Sequence, residues 1–137
     1  MDVTNLLDHT FPHIIENCPG HFELMTMPNQ IYLYSNSLPA EILPEADYVT
    51  CQACQVSFYA PGFEQRIERL KVEALMGHDR LAPHEVRFIR IACDLTRAQL
   101  AVVIGLTESD VTKIEATIGL DQGPEFEALG RLICALS

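Results

Sequence analysis

The sequence has few cations in its first half and no long apolar run. Residues 1–65 contain eight acidic residues and no lysine or arginine, and the longest apolar run, LAVVIGL, spans residues 100–106. Because a membrane-spanning helix needs about 20 apolar residues, no membrane span is predicted. The N-terminus also lacks a basic segment followed by an apolar stretch, so we expect no secretory signal and a cytoplasmic location. Five cysteines cannot all pair as disulfides, which fits a reducing compartment.

Charge divides the chain into two halves of different character. The halves carry about −8 and −2, since residues 66–137 hold eleven acids and nine bases. A length of 137 residues allows one ordinary domain or two small ones. The charge split favours two units with different partners, because an acidic first unit suits a basic protein while the second can still carry a local basic face. The alternative is that the acidity serves solubility alone.

The first half of the chain is predicted to be a small β domain after an irregular lead at residues 1–17. Proline, asparagine and serine turn signals separate short β-like runs. The runs are FELMTM at 22–27, IYLYS at 31–35, YVT at 48–50 and VSFYA at 56–60. We therefore expect an antiparallel β domain over residues 18–60, followed by a linking helix over residues 61–77, where apolar residues recur at helical spacing.

Residues 81–137 are predicted to form short helices, which makes the whole chain an α+β protein. Each segment has its own start signal. The signals are Pro83 for a first helical turn, Thr96 with Gln99 as a capping box, and Thr107 with Asp110 as a similar cap. The last segment, residues 124–136, carries an apolar stripe of Phe126, Leu129, Leu132, Ile133 and Leu136. Cys93 and Cys134, among apolar neighbours, are predicted to be small core residues.

The stretch TCQACQ places Cys51 and Cys54 three residues apart. In the cytoplasm such a pair is a redox motif, a pair of buried thiols or half of a metal site. A redox motif needs a strand-to-helix context, whereas both flanks here are strand-like and favour a zinc knuckle in a turn. The stretch NCPGHF supplies a second pair, Cys18 and His21, with the same two-residue gap and an intervening Pro-Gly that favours a tight turn.

The predicted metal centre is a structural Zn²⁺ bound by Cys18, His21, Cys51 and Cys54. Four protein ligands complete a tetrahedral shell and leave no position for water, so a catalytic zinc is not expected. A β domain this small has a thin core, and metal binding would therefore be coupled to its folding. Two buried thiols without a metal remain the alternative.

Residues 85–119 have the layout of a helix-turn-helix, with a turn at Gly105 between two apolar-faced helices. The stretch resembles the Xre/Cro-like helix-turn-helix family. The matching residues are Ile89, Arg90, Leu95, Thr96, Gln99, Leu100, Ala101, Gly105, Val111 and Glu115. The resemblance covers about a quarter of the chain and implies an all-α, lambda-repressor-like domain over residues 81–137.

Together with the upstream cysteine motifs, this order of units resembles the MqsA-type antitoxins of bacterial toxin–antitoxin operons. The resemblance covers roughly residues 18–136 and departs from the family at His21, where the family has cysteine. It implies a structural zinc in an N-terminal domain that binds a toxin. It also implies a C-terminal domain that forms a homodimer and binds double-stranded DNA at the palindromic promoter of the operon.

The family reads DNA near the start of the recognition helix, which corresponds to residues 108–117 here. The residues at the matching positions are Glu108, Ser109, Thr112 and Lys113. Arg97, at the start of the preceding helix, is the predicted phosphate contact, with a solvated surface charge as the alternative. Acidic Glu108 and Asp110 sit where phosphates would approach, so we expect modest and steeply salt-dependent DNA affinity.

Three functions are compatible with this sequence. The first is a zinc-stabilised, dimeric antitoxin that represses its own promoter and neutralises a basic toxin. The second is a helix-turn-helix regulator without a toxin partner, and the third is a protein-interaction module whose helix-turn-helix has lost DNA binding. An enzyme is not expected, because the sequence has no Ser/His/Asp set, glycine-rich phosphate loop or open metal site.

Overall fold

The computed structural model describes residues 12, 18–34 and 38–136, and these group into two compact units. The first contains the described residues up to Tyr32 together with Glu41–Arg66, and the second contains Leu33–Ala40 and Ile67–Ser137. The predicted lead, residues 1–17, lies outside the described residues except for exposed Pro12. None of the described helices is long and apolar enough to cross a membrane.

The first unit contains a three-stranded antiparallel sheet in the order β1-β2-β3. The strands are β1 (Phe22–Tyr32), β2 (Glu41–Cys51) and β3 (Ser57–Tyr59). β1 pairs with β2 from Phe22 opposite Cys51 to Tyr32 opposite Glu41. The antiparallel sheet predicted for this half is therefore present.

The predicted turn near residue 28 is wrong, because the first two β-like runs form one continuous strand. Pro28 lies opposite Glu45 and Gln30 lies opposite Leu43, so the register is the same on both sides of Asn29. Asn29 itself has a φ of 52°, a left-handed conformation that asparagine tolerates better than most residues. The turn-forming residues are thus accommodated within a long hairpin.

The buried cluster at the Cys51 end of the first unit is small, and Tyr32, Ala46 and Phe63 are also buried in this unit. Phe22, Val49 and Cys51 are fully buried, and partly buried residues pack around them. Phe58 is one of these, with its ring centroid 6.1 Å from that of Phe22. At about 25 cal/mol per Å² of buried apolar surface, so few side chains contribute little free energy against the entropy of ordering the strands. A crosslink at the Cys51 end would therefore stabilise this unit substantially.

The rest of the chain is mainly helical. The elements in chain order are α1 (Phe63–Met76), β4 (Arg80–Leu81), α2 (Pro83–Ala92), α3 (Arg97–Ile104), α4 (Glu108–Lys113), a π turn (Ile114–Ile118), β5 (Leu120–Asp121) and α5 (Pro124–Ala135). The division between the two units falls within α1. The described part of the chain is thus an α+β protein with one three-stranded sheet and five α-helices.

The predicted helix starts are confirmed. The Thr96 hydroxyl accepts the backbone N–H of Gln99 at 3.1 Å, and the Gln99 side chain accepts the backbone N–H of Thr96 at 2.8 Å. Thr107 and Asp110 make the same reciprocal pair at the start of α4, at 3.1 and 3.2 Å. Gly105 ends α3 with a φ of 76°, which favours glycine because it has no Cβ.

The buried face of the last helix agrees with the predicted stripe in part. Phe126, Leu129 and Ile133 are buried, whereas Leu136 is 56% exposed. Cys134 is also exposed, so its prediction as a core residue is wrong. Its position, one residue after Ile133, turns it away from the buried face.

Candidate functional site

Three of the cysteines converge at one end of the sheet. The Sγ atoms of Cys18, Cys51 and Cys54 all lie within 4.8 Å of one another, and those of Cys18 and Cys51 are 3.7 Å apart. Cys51 is the last residue of β2 and is fully buried, while Cys18 and Cys54 are partly buried. Cysteines 33 residues apart in sequence are therefore brought to one point by the β1–β2 pairing.

A tight turn after β2 holds the second and third thiols. The backbone N–H of Gln55 donates to the carbonyl of Cys51 at 2.8 Å, and the N–H of Cys51 donates to the carbonyl of Val56 at 3.0 Å. Gln55 has a φ of 64°, which reverses the chain into β3. These backbone bonds orient Cys51 and Cys54 toward the same side of the turn.

Gly20 positions the first thiol and leaves room for the second. Its backbone N–H donates to Sγ of Cys18 at 3.4 Å. A Cβ added at Gly20 would lie 2.6 Å from Sγ of Cys51 and 2.7 Å from Cβ of Ala53. Only glycine allows the backbone to approach the thiols this closely.

The surroundings of Cys18 favour its protonated thiol. The Gly20 N–H lowers the pKa of Cys18, but burial, hydrogen bonds with Cys51 and Cys54, and the charge of Cys51 together raise that pKa above its ordinary value. A bound metal ion would replace this proton, since the thiolate is the ligand form.

The chemistry of these residues fits a thiophilic metal ion. Zn–S bonds of about 2.3 Å in a tetrahedron place neighbouring sulfur atoms about 3.8 Å apart, close to the 3.7 Å between Cys18 and Cys51. Cys18, Cys51 and Cys54 could therefore hold such an ion, which would crosslink the segment before β1 to the turn after β2.

The fourth predicted ligand is not part of this cluster. His21 is exposed, and its ring nitrogens fall outside the group of ligand atoms that lie within 4.8 Å of one another. It precedes Phe22, which faces the core, and neighbouring residues at a strand start face opposite sides. Three of the four predicted ligands thus come together.

The residues predicted to contact DNA lie in α3 and α4. Glu108, Ser109, Thr112 and Lys113 are all exposed on α4. The Thr112 hydroxyl donates to the carbonyl of Glu108 at 3.1 Å, within the same helix. Arg97 is the first residue of α3, and its side chain is 43% exposed.

Asp110, one of the two acids that the sequence analysis placed where phosphates would approach, forms part of the cap of α4. Its carboxylate accepts the hydroxyl of Thr107 at 2.9 Å and the backbone N–H of Thr107 at 3.2 Å. The Thr107 hydroxyl, its backbone N–H and nearby Lys113 lower the pKa of Asp110. The carboxylate of Asp110 is therefore held by hydrogen bonds within the cap, whereas Glu108 is exposed.

Glu115, which the sequence analysis listed as a match to the helix-turn-helix pattern without predicting its burial, is the centre of a buried ion cluster. Its side chain is 3% exposed and accepts Nε and Nη2 of Arg90 at 2.6 and 3.1 Å. Arg97 Nε lies 3.3 Å from the same carboxylate. The signal was the spacing, since residue 115 is four residues after buried Val111 and therefore falls on the same helix face.

Comparisons with models of known protein families, with characterised proteins and with solved structures find no match to this chain. Its function is therefore inferred from the residues of the site.

Proposed function

We propose that this protein is a zinc-stabilised, DNA-binding transcription regulator, in which α3 and α4 act as a helix-turn-helix. The observation that carries the proposal is the sequence of α3, a three-residue turn starting at Gly105, and a capped α4 whose polar side chains face outward. A helix presented in this way can enter the major groove of DNA.

Packing supports a fixed angle between the two helices. α3 packs against both α4 and α5. Its Leu100, Ala101 and Ile104 are buried, as is Val111 of α4. Because these apolar residues occupy the inner faces, Ser109, Thr112 and Lys113 remain free to contact a ligand on the outer face of α4.

Charge supports weak, salt-sensitive binding. Arg90 is 11% exposed and is held by Glu115, so it is unsuited to a phosphate contact. Arg97 donates its Nε to Glu115, and its side chain is 43% exposed. Arg87 and Lys113 are exposed. Binding through so few cations should be weak, and its electrostatic part should decline as salt rises.

The first unit gives the narrower proposal, that the regulator is an antitoxin of a toxin–antitoxin operon. The thiol cluster would bind structural Zn²⁺ and stabilise the end of the sheet where the buried cluster of Phe22, Val49 and Cys51 is small. The acidic first half of the chain would attract a basic toxin. Co-purification with the small basic protein encoded by a neighbouring reading frame tests the toxin partner. On a palindromic DNA site, a second copy of the chain would form a two-fold symmetric homodimer with the first.

A gel shift with the DNA upstream of the protein's own gene tests the broader proposal. Lys113→Ala should weaken binding by on the order of tenfold, or about 1.4 kcal/mol, because it removes a cation from the outer face of α4. Arg69→Ala is the matched control, since Arg69 is exposed on α1 and forms a surface pair with Glu73. Equal shifts for the native protein and the Lys113 variant would contradict the proposed interface.

A second candidate is a protein-interaction module without DNA binding. Exposed Glu108 at the start of α4 favours it, as does the engagement of Arg90 and Arg97 by Glu115. The absence of a shift at low salt, with the helices folded, would select this candidate over the regulator.

A further inference from the structure

We propose that Cys18, Cys51 and Cys54 are the ligands that the described residues supply to a thiophilic divalent ion, and that a thiol or water from solution fills its fourth coordination position. The inference rests on the metal centre of the proposed function and is independent of DNA binding. It replaces the closed site of four protein ligands by a site that small molecules can reach.

The three thiols lie close enough together for one ion to contact all of them. The 3.7 Å between Sγ of Cys18 and Sγ of Cys51 matches the edge of about 3.8 Å expected for bonds of about 2.3 Å. All three sulfur atoms lie within 4.8 Å of one another. The three thiols could therefore hold one ion together.

The described residues offer no fourth donor at the same point. Among their His, Cys, Asp and Glu side chains, the cluster within 4.8 Å contains the three thiols alone. The turn that carries His21 is fixed by Gly20, whose backbone packs against Cys51 and Ala53. His21 is exposed, and its ring nitrogens are not among the ligand atoms that lie within 4.8 Å of one another.

The partial burial of two thiols gives solvent access to the ion. Cys51 is fully buried, whereas Cys18 and Cys54 each keep part of their surface exposed. Each thiol releases its proton to solvent when its sulfur binds the ion, and a small thiol that replaces bound water releases one more. No oxidation or reduction is involved.

The test uses the full-length chain and Cd²⁺ as the metal probe. We expect Cd²⁺ to produce cadmium–thiolate charge-transfer absorption and to protect three of the five cysteines from a thiol reagent. Addition of 2-mercaptoethanol to the Cd²⁺-loaded protein should increase that absorption, because a fourth sulfur joins the ion. Failure of the absorption to change would overturn the open fourth position.

Matched variants identify the ligands. His21→Ala should bind Cd²⁺ within about twofold of the native protein, as should the control His78→Ala, whereas Cys54→Ser should lose at least about tenfold relative to Cys134→Ser. Cys54→Ser can also unfold the first unit, so its loss of affinity is not decisive alone. The Cd²⁺ affinity of His21→Ala relative to the native protein, together with the number of protected cysteines, decides whether the three thiols are the ligands. A tenfold loss for His21→Ala, or for a His9→Ala/His13→Ala double variant, would place a fourth donor in the chain and refute the proposal.

Promoter binding by the same preparations separates this inference from the proposed function. If the gel shift still depends on Lys113 but Cd²⁺ binding does not follow the expected pattern, the three-thiol site alone is overturned. The converse pattern would overturn DNA binding and leave the metal site standing.

Discussion

Replacing Glu115 by glutamine should destabilise the second unit strongly. The carboxylate is 3% exposed and lies within 2.6–3.3 Å of two guanidinium groups, those of Arg90 and Arg97. Glutamine keeps the shape and one acceptor oxygen but removes the negative charge. The 11%-exposed Arg90 would then remain as a buried cation without its counter-ion.

The magnitude follows from the burial of this pair. Removing one partner of a buried ion pair costs about 3–5 kcal/mol, because the remaining charge has lost its solvation without compensation. The pair with Arg97, which is 43% exposed, adds at most about 1 kcal/mol. Since glutamine still accepts one hydrogen bond, we expect a loss near the lower limit, about 3 kcal/mol.

Thermal and urea unfolding of the full-length chain, followed by helical circular dichroism, measures this loss. A loss of about 3 kcal/mol should lower the helical melting temperature by on the order of 10–20 °C. The matched control is Glu73→Gln, because Glu73 is 50% exposed and pairs with Arg69 at 3.7 Å on the surface of α1. That substitution should change stability by less than about 0.5 kcal/mol.

A double-mutant cycle with Arg90→Ala gives the sharpest refutation. If the carboxylate and the guanidinium stabilise each other, the two substitutions together should cost much less than the sum of their separate effects. Additive effects, or a Glu115→Gln variant as stable as the Glu73→Gln control, would show that the cluster does not stabilise the helices.

Three further substitutions test other parts of the structure. Gly20→Ala should lower metal affinity at least about tenfold, measured by competition with a chelator, since its Cβ would lie 2.6 Å from Sγ of Cys51. Thr107→Ala should cost about 1 kcal/mol in urea unfolding, because it removes the side-chain cap of α4. Hydrogen bonds from Arg66 and Thr26 lower the pKa of Asp47. The ionised Asp47 carboxylate therefore stabilises the folded protein at neutral pH, and this stabilisation is lost as pH falls below the usual aspartate range. In Asp47→Asn the free energy of unfolding should depend less on pH in this acid range. An unchanged slope of unfolding free energy against pH would contradict the role of Asp47.

Sequence alone was sufficient to predict the helix starts. Thr96 with Gln99 and Thr107 with Asp110 form caps in which all the atoms lie within three residues of one another. The free energy of such a cap depends little on the rest of the fold. The turn at Gly105 was predictable for the same reason, because the requirement for a left-handed residue is local.

Strand length was decided by pairing and not by local preference. Pro28 and Asn29 are turn-forming residues, yet β1 continues through them because cross-strand pairs on either side keep one register with β2. The energy of a ladder of pairs along eleven residues exceeds the preference of two residues for a turn. A single sequence does not reveal such long-range compensation.

Some features of the thiol site could be predicted from the sequence, whereas others depended on the tertiary structure. The spacing of Cys51 and Cys54, and the presence of Cys18 upstream, were sufficient to predict a thiol cluster. Only the tertiary structure decided that His21 lies outside that cluster and that Glu115 lies inside the helical core. Sequence spacing determines which residues share a local turn or helix face. Side chains on different elements come within contact distance and lose their surrounding water only when those elements pack together.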